Sequence, residues 1–418
     1  MQCIDLFAGA GGLSEGFKRA GFNILAHVEM NPSAALTLKT REAYYYLREH
    51  HQLYKYKKYL LGEIDRETLY SFIPNKILDK VICECISDNT IEDIFNKINN
   101  LLKNADNNQV DLIIGGPPCQ AYSTAGRGRL PDKMKNDARN YLYIQYIKFL
   151  EKYRPKMFIF ENVLGIFSAQ NGKILEDINY RIDRLGYTMD VSIVDASDIG
   201  VLQKRKRVII RGIRKDLNLN MIELNFQSKR KNFVLKDLWE DLPSLNAGKS
   251  KNGKVYIKKP NKCIKSLHLR EFGWDILTWH NSRPNNEQDL KIYKICVQNW
   301  NDKRKKLKYN ELPLELRTHK NCKTYLDRFN VLDYEGMAHT MVAHIAKDGH
   351  YYIHPDLKQN RSISVREAAR IQSFPDNYYF ENSRTAAFTQ IGNAVPPILA
   401  EFIANNIKEI LEDNEYGY

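Results

Sequence analysis

The chain lacks any apolar run near the roughly 18 residues that a membrane span requires. Its opening residues, MQCIDLF, carry no charged leader or small-residue cleavage site. A soluble, cytoplasmic protein is therefore expected. Cysteine is sparse and poorly arranged for cross-linking: the seven, at Cys3, Cys83, Cys85, Cys119, Cys263, Cys296 and Cys322, form no disulfide framework. Cys83 and Cys85 make one close pair with no second pair to match, so no metal is expected. No internal repeat or low-complexity tract is present in the 418 residues, a length that suits one large lobe plus a smaller one. Negative charge is the scarcer sign, 50 Asp and Glu against 63 Lys and Arg, and the net +13 favours a polyanionic partner. Tryptophan is scarce too, and all four fall between Trp239 and Trp300.

What is there begins as an alternation. Residues 1–215 interleave short apolar runs with helical patterns, the mark of a doubly wound α/β lobe with a parallel sheet covered on both faces. The predicted strands are Cys3–Phe7, Phe22–Val28, Val110–Ile114, Met157–Phe160, Thr188–Val194 and Arg207–Gly212. The predicted helices are Ser14–Ala20, stopped by Gly21, Ala138–Lys152, stopped by Pro155, and Ile174–Leu185, stopped by Gly186. Residues 41–106 interrupt this order with REAYYYLREHHQLYKYKKYLL and a mixed helical pattern, read as inserted helices. Their aromatic and basic mixture suits nucleic-acid contact, but a surface helix packed on the lobe is the favoured reading. From 216 to 330 the regular pattern gives way to SKRKN (228–232), KSKNGK (249–254) and NDKRKKLKY (301–309), as in a separate, smaller domain. Any one such cluster alone reads as a solvated charged face. After 330 the pattern returns, with a helix near Val365–Gln372 and a terminal helix from Pro397 to Leu411.

Two segments carry chemistry. The first strand ends in DLFAGAGGLSEGF (5–17), whose small residues let the backbone turn tightly into a helix N-terminus and present backbone donors. Glu29, at the tip of the next strand, is placed where an acid accepts ribose hydroxyls, so together they suggest an adenosyl ligand. No Lys-containing phosphate loop follows, which disfavours a triphosphate. Further on, VDLIIGG runs directly into PPCQAYS, placing Cys119 just past a strand's carboxyl end, where open α/β sheets bind ligands. A free buried cysteine is ordinarily a small hydrophobe. The Pro-Pro-Cys-Gln setting at a strand end points instead to a nucleophile.

GGPPCQAYS resembles the catalytic loop of the cytosine-5 DNA methyltransferases, in their bacterial restriction-modification form. DLFAGAGG resembles their cofactor loop, ENV (161–163) their catalytic acid motif and QKRKR (203–207) their Gln-x-Arg-x-Arg motif. REAARIQSFPDNY (366–378) and QIGNAVPP (390–397) resemble their two C-terminal motifs, so six blocks follow in family order. The resemblance implies a Rossmann-like methyltransferase domain, 1–215 plus 331–418, to which the C-terminal helix returns, and a target-recognition domain at 216–330. It implies S-adenosyl-L-methionine as cofactor, with Asp5, Phe7, Ala8, Gly9, Gly11, Gly12, Leu13, Glu29, Pro118 and Asn393 around it. It also implies double-stranded DNA as partner, a monomer, and a cognate restriction endonuclease acting separately. Cys119, Glu161, Arg205 and Arg207 become the catalytic set.

Chemistry agrees with that assignment. Carbon 5 of cytosine is a poor nucleophile until a thiolate adds at carbon 6. A free thiol has a pKa of about 8.5, so positive charge from Arg205 or Arg207 helps ionise it. By resemblance Arg207 also contacts the base's carbonyl oxygen while Arg205 shapes the pocket, and their alternate spacing puts both on one strand face. Ring nitrogen 3 then needs a proton or a strong hydrogen bond, a task for Glu161 if partial burial keeps its proton available. The final base is left open, and water suffices. Stacked duplex hides carbon 6, so the target cytosine must be flipped out. One block departs from the family: in DKVICECISD (79–88) Cys85 stands where an adenine-contacting aspartate is common, leaving Glu84 or Asp88 in its place. Two alternatives remain: a tRNA methyltransferase on the same scaffold, disfavoured by the missing Cys-Phe-Thr tripeptide, and a catalytically silent DNA-binding relative.

Overall fold

The computed structural model describes residues 1–105, 107–118, 141–224, 232–318 and 321–412. Strand β1 (Gln2–Leu6) is followed by helix α1 (Gly12–Arg19), β2 (Asn23–Val28) and the long α2 (Pro32–Glu49). Three short helices come next, α3 (Leu53–Leu60), α4 (Arg66–Ser71) and α5 (Asn75–Leu78), then the two-residue β3 (Val81–Ile82) and α6 (Ile91–Lys103). The lobe continues through β4 (Leu112–Gly115), α7 (Leu142–Tyr153), β5 (Met157–Asn162), α8 (Lys173–Arg184), β6 (Tyr187–Asp195) and β7 (Lys206–Arg214). Beyond them lie α9 (Lys262–Ser266), α10 (Glu287–Lys303), α11 (Val365–Ile371), α12 (Arg384–Asn393) and α13 (Pro397–Glu412). Ala138, the expected start of the helix that ends at Lys152, and most of the SKRKN cluster lie outside the described residues.

One sheet holds all seven strands in the order β3-β2-β1-β4-β5-β7-β6. Neighbours from β3 to β5 pair in parallel, whereas β7 lies antiparallel to both β5 and β6. The parallel sheet read from the sequence is thus mixed at one edge. The cause is local: only residues 196–205 separate β6 from β7, and without a crossover helix the chain can only turn back.

Side-chain alternation sorts the strands onto two buried faces. Ile4, Leu6, Leu25, Ile113, Phe158, Phe160, Val208 and Ile210 meet α6, α7 and α8 through Ile94, Phe149 and Ile178. Their neighbours Cys3, Ile24, Leu112, Ile114, Met157, Ile159 and Ile209 face α1 and α13 through Phe17, Leu399 and Ile403. Helix α13 lies directly on α1, bringing the C-terminal segment back to the first strand-helix unit.

The expected insertion at 41–106 is smaller than its pattern suggests. Residues 41–49 complete α2, β3 joins the sheet edge and α6 covers it, so α3, α4 and α5 alone stand outside the alternation. Two residues of strand are too few to show a period, which hid β3. The extra helices close a small core of Tyr44, Tyr45, Tyr56, Leu69 and Ile73 against Trp274 and Ile276. Another large core joins Leu235, Trp239, Cys263, Ile264 and Leu277 to Leu332, Ile363, Phe374 and Phe388.

Candidate active site

The glycine-rich turn begins where β1 ends. Phe7 takes a left-handed φ of 54°, unusual for a bulky residue, and Gly9 and Gly11 follow at 55° and 76°. The turn is fastened to the tip of β2: the Ala8 amide donates to the Val28 carbonyl at 3.1 Å, and the Gly9 amide to Glu29 Oε2 at 2.8 Å. Glu29 Oε1 accepts the Asn31 amide at 2.7 Å. Burial pushes the Glu29 carboxyl above its ordinary value, against the two backbone donors. From the far side, the Tyr378 hydroxyl donates to the Ala10 carbonyl. At Gly12 a Cβ would stand 2.1 Å from the Val395 carbonyl oxygen, so the close approach of α1 to the segment entering α13 requires glycine there.

Beneath the turn lies a buried polar cluster. Asp5 accepts from the Ser14 hydroxyl, which also lies 3.2 Å from His27 Nδ1, and His27 Nε2 is 3.4 Å from Glu42. Burial opposes charge on His27, but Asp5 and Glu42 outweigh it and raise the imidazole above its ordinary value.

At the other end, β4 runs into the turn that leads to Cys119, which itself lies outside the described residues. A Cβ on Gly116 would stand 2.9 Å from Glu161 Oε2, so this turn lies directly against the acid at the end of β5. Asn162 Nδ2 reaches the Pro117 carbonyl at 3.4 Å, and Pro118 is exposed. Arg207 forms an ion pair with Glu161, Nε to Oε1 at 2.9 Å. Arg205 turns elsewhere: fully buried, it donates to the carbonyls of Met341 and of Ala394, the latter at 2.8 Å. Burial first, then the Arg207 charge, push its guanidinium well below the ordinary arginine value. Gln203 extends that clamp, accepting the Met341 amide at 2.7 Å and donating to Gln372 at 2.9 Å.

The family model for the C-5 cytosine-specific DNA methylases matches residues 1–65 and 64–409. The chain belongs to that family. It is 40% identical to the type II methyltransferase M.Bpa9945I of Bacillus paralicheniformis over 98% of this chain and 99% of that one. It is 30% identical to the type II methyltransferase M.AgeI of Thalassovita gelatinovora, over 98% and 99%. A solved structure of a candidate DNA modification methyltransferase encoded within an E. coli prophage superposes with a TM-score of 0.64 at 23% identity, covering 98% and 99%. The methylase is therefore a DNA (cytosine-5)-methyltransferase, and its substrate is DNA.

Within the methylase, the structure brings Phe7, Ala8, Gly9, Gly11, Gly12 and Glu29 into one turn, and Glu161 and Arg207 into one pair. Leu13 is in the core beside α13, and Asp5 faces Ser14 and His27. Asn393 is exposed at the last residue of α12. Of the two adenine-contact candidates, the Glu84 amide bonds to the Glu29 carbonyl at 3.2 Å, whereas Asp88 pairs with Lys148. Sequence reasoning gave no role to Tyr378 or Asn31. Tyr378 closes the PDNY block, and Asn31 precedes a proline as a helix cap, accepting from the Ser33 and Ala34 amides. No helix among the described residues is long and apolar enough to cross a membrane.

Proposed function

We propose that the methylase moves a methyl group from S-adenosyl-L-methionine to carbon 5 of a cytosine flipped out of a specific duplex sequence, through a covalent adduct to Cys119. The contact between Glu161 and Gly116 carries this reading, because it sets the acid against the turn that leads to the cysteine. The Cys119 thiolate adds to carbon 6, and Glu161 supplies a proton or hydrogen bond to ring nitrogen 3. Arg207, ion-paired with Glu161, orients the acid and reaches the base's carbonyl oxygen. Carbon 5 then takes the methyl group, its proton leaves to water, and the thiolate is expelled. Arg205 positions the pocket by holding Met341 and Ala394.

The cofactor supplies an electrophilic methyl. The turn suits it: a Cβ built on Gly9 meets nothing within 4 Å, so space is open beside the Glu29 carboxylate, which accepts ribose hydroxyls there. Asp5, Phe7, Ala8, Gly11, Gly12, Leu13, Pro118 and Asn393 complete that side of the site, with Glu84 toward the adenine.

Residues 216–330 read the target, and 1–215 with 331–418 form the catalytic lobe. They share a core around Trp239 and Phe374. The methylase acts as a monomer in a bacterial cytoplasm, with a cognate endonuclease as a separate protein.

A duplex carrying 5-fluorocytosine at the target should trap a covalent complex, because fluorine cannot leave as a proton. Cys119→Ser should abolish both trapping and methyl transfer while keeping cofactor and duplex binding. Full activity in that variant removes the mechanism, and methylation of tRNA in preference to DNA removes the substrate.

A further inference from the structure

Residues 303–328 carry nine Lys or Arg against three acidic residues, a dense cationic stretch within the second region. Some of that charge is internally used: Lys305 meets Glu311 at 3.4 Å and Arg304 meets Asp333 at 3.3 Å. Lys306 and Lys323 are exposed. Among these cations stand two apolar side chains that the fold does not bury, Leu314 at 76% and Tyr325 at 73% exposure.

Tyr325 projects outward from a hydrogen-bonded frame. Its φ is 53°, a left-handed conformation that bulky residues rarely adopt. On one side Asn321 Oδ1 accepts the amides of Lys323 and Thr324 at 3.0 and 3.1 Å, and on the other the Tyr309 amide donates to the Leu326 carbonyl at 2.7 Å. Tyr309 is itself buried in a small core with Tyr293 and Phe329. The segment also adjoins the active-site clamp: burial first, then the Lys306 charge, lower the His339 imidazole to about 4. The next residue, Thr340, donates to the Lys204 carbonyl at 2.7 Å, and Met341 is held by Arg205.

We propose that Tyr325, with Leu314, forms the apolar part of the duplex contact and helps choose which sequence is methylated, while Lys306 and Lys323 bind flanking phosphates. This rests on the DNA-methylating reading above. Cations alone give affinity without sequence preference; apolar side chains projecting between them can pack on base edges or wedge at a base step.

The test methylates a randomised duplex library with the full chain and reads the products by bisulfite sequencing, alongside KM for one cognate duplex. Tyr325→Ala and Leu314→Ala should each raise duplex KM about tenfold and broaden the methylated motif, with cofactor Kd unchanged. Tyr325→Gly separates contact from folding, since it relieves the backbone strain: Tm should hold or rise while duplex KM rises. Lys306→Ala with Lys323→Ala should weaken all sequences alike and leave the motif intact. Unchanged KM and motif in Tyr325→Ala overturns the proposal, as does a fall in Tm that tracks the loss of activity in Tyr325→Gly. If the unmodified chain methylates no duplex cytosine, the functional reading itself fails, a result distinct from both.

Discussion

The cations of residues 361–370 and those of residues 303–328 share a sign and have opposite uses. Arg361, Arg366 and Arg370 are fully buried. Arg361 makes a two-pronged pair with Glu367 at 2.7 Å on each side, and Arg370 binds both Asp241 and Asp376. Arg366 is satisfied mainly by carbonyls, those of Thr278, Pro375 and Tyr378. Among the described residues, the segment at 303–328 leaves most of its cations in water, and those are mostly lysine. A guanidinium fork satisfies several buried acceptors at once and an ammonium does not, so arginine builds the joint between the two regions and lysine the outer face.

Breaking the joint should have the largest effect. Arg370→Ala removes the cation that Asp241 and Asp376 share, leaving Asp241 to Arg270 and Asp376 to Tyr256 and Arg366, and should cost about 3 kcal/mol in urea denaturation, with Arg370→Lys recovering less than half. A loss below about 1 kcal/mol would erase the distinction between the two groups of cations.

A second buried pair sharpens it. Burial alone would raise the Glu15 carboxyl, but Arg41 and Arg19 outweigh burial and hold it at about 2. Its folded value is depressed, so its stabilisation is present above the unfolded value near 4.5 and is lost as pH falls toward 2. Unfolding followed between pH 5 and pH 2 should lose on the order of 3 kcal/mol from this group, and Glu15→Gln should flatten that part of the profile.

The smallest effect on stability belongs to the exposed segment. Lys306→Ala with Lys323→Ala should change unfolding free energy by less than about 0.5 kcal/mol. The same pair should lower the salt slope of duplex binding by about 0.9 per charge removed. A large loss of stability would make these lysines part of the joint.

Much of the first lobe was legible. Six strands showed as apolar runs because each packs at least one face against helices, and α1 and α8 carried glycine stops. The two-residue β3 and the reversal of β7 were not legible, since one is too short for a period and the other depends on what lies between the strands. At the site, Glu29 and Glu161 were readable from their places at strand ends. The separate destinations of Arg205 and Arg207 were not, because spacing gives a face and not a partner.

Sequence by itself determined the order of the motifs and the residue types within them, since those are local to a few positions. Tertiary structure alone decided that the turn at Gly116 lies against Glu161, that position 12 needs glycine against Val395, and that Arg205 ties two distant carbonyls. Each of those is a contact between segments far apart in the chain, and its distance is set by packing that no local pattern encodes.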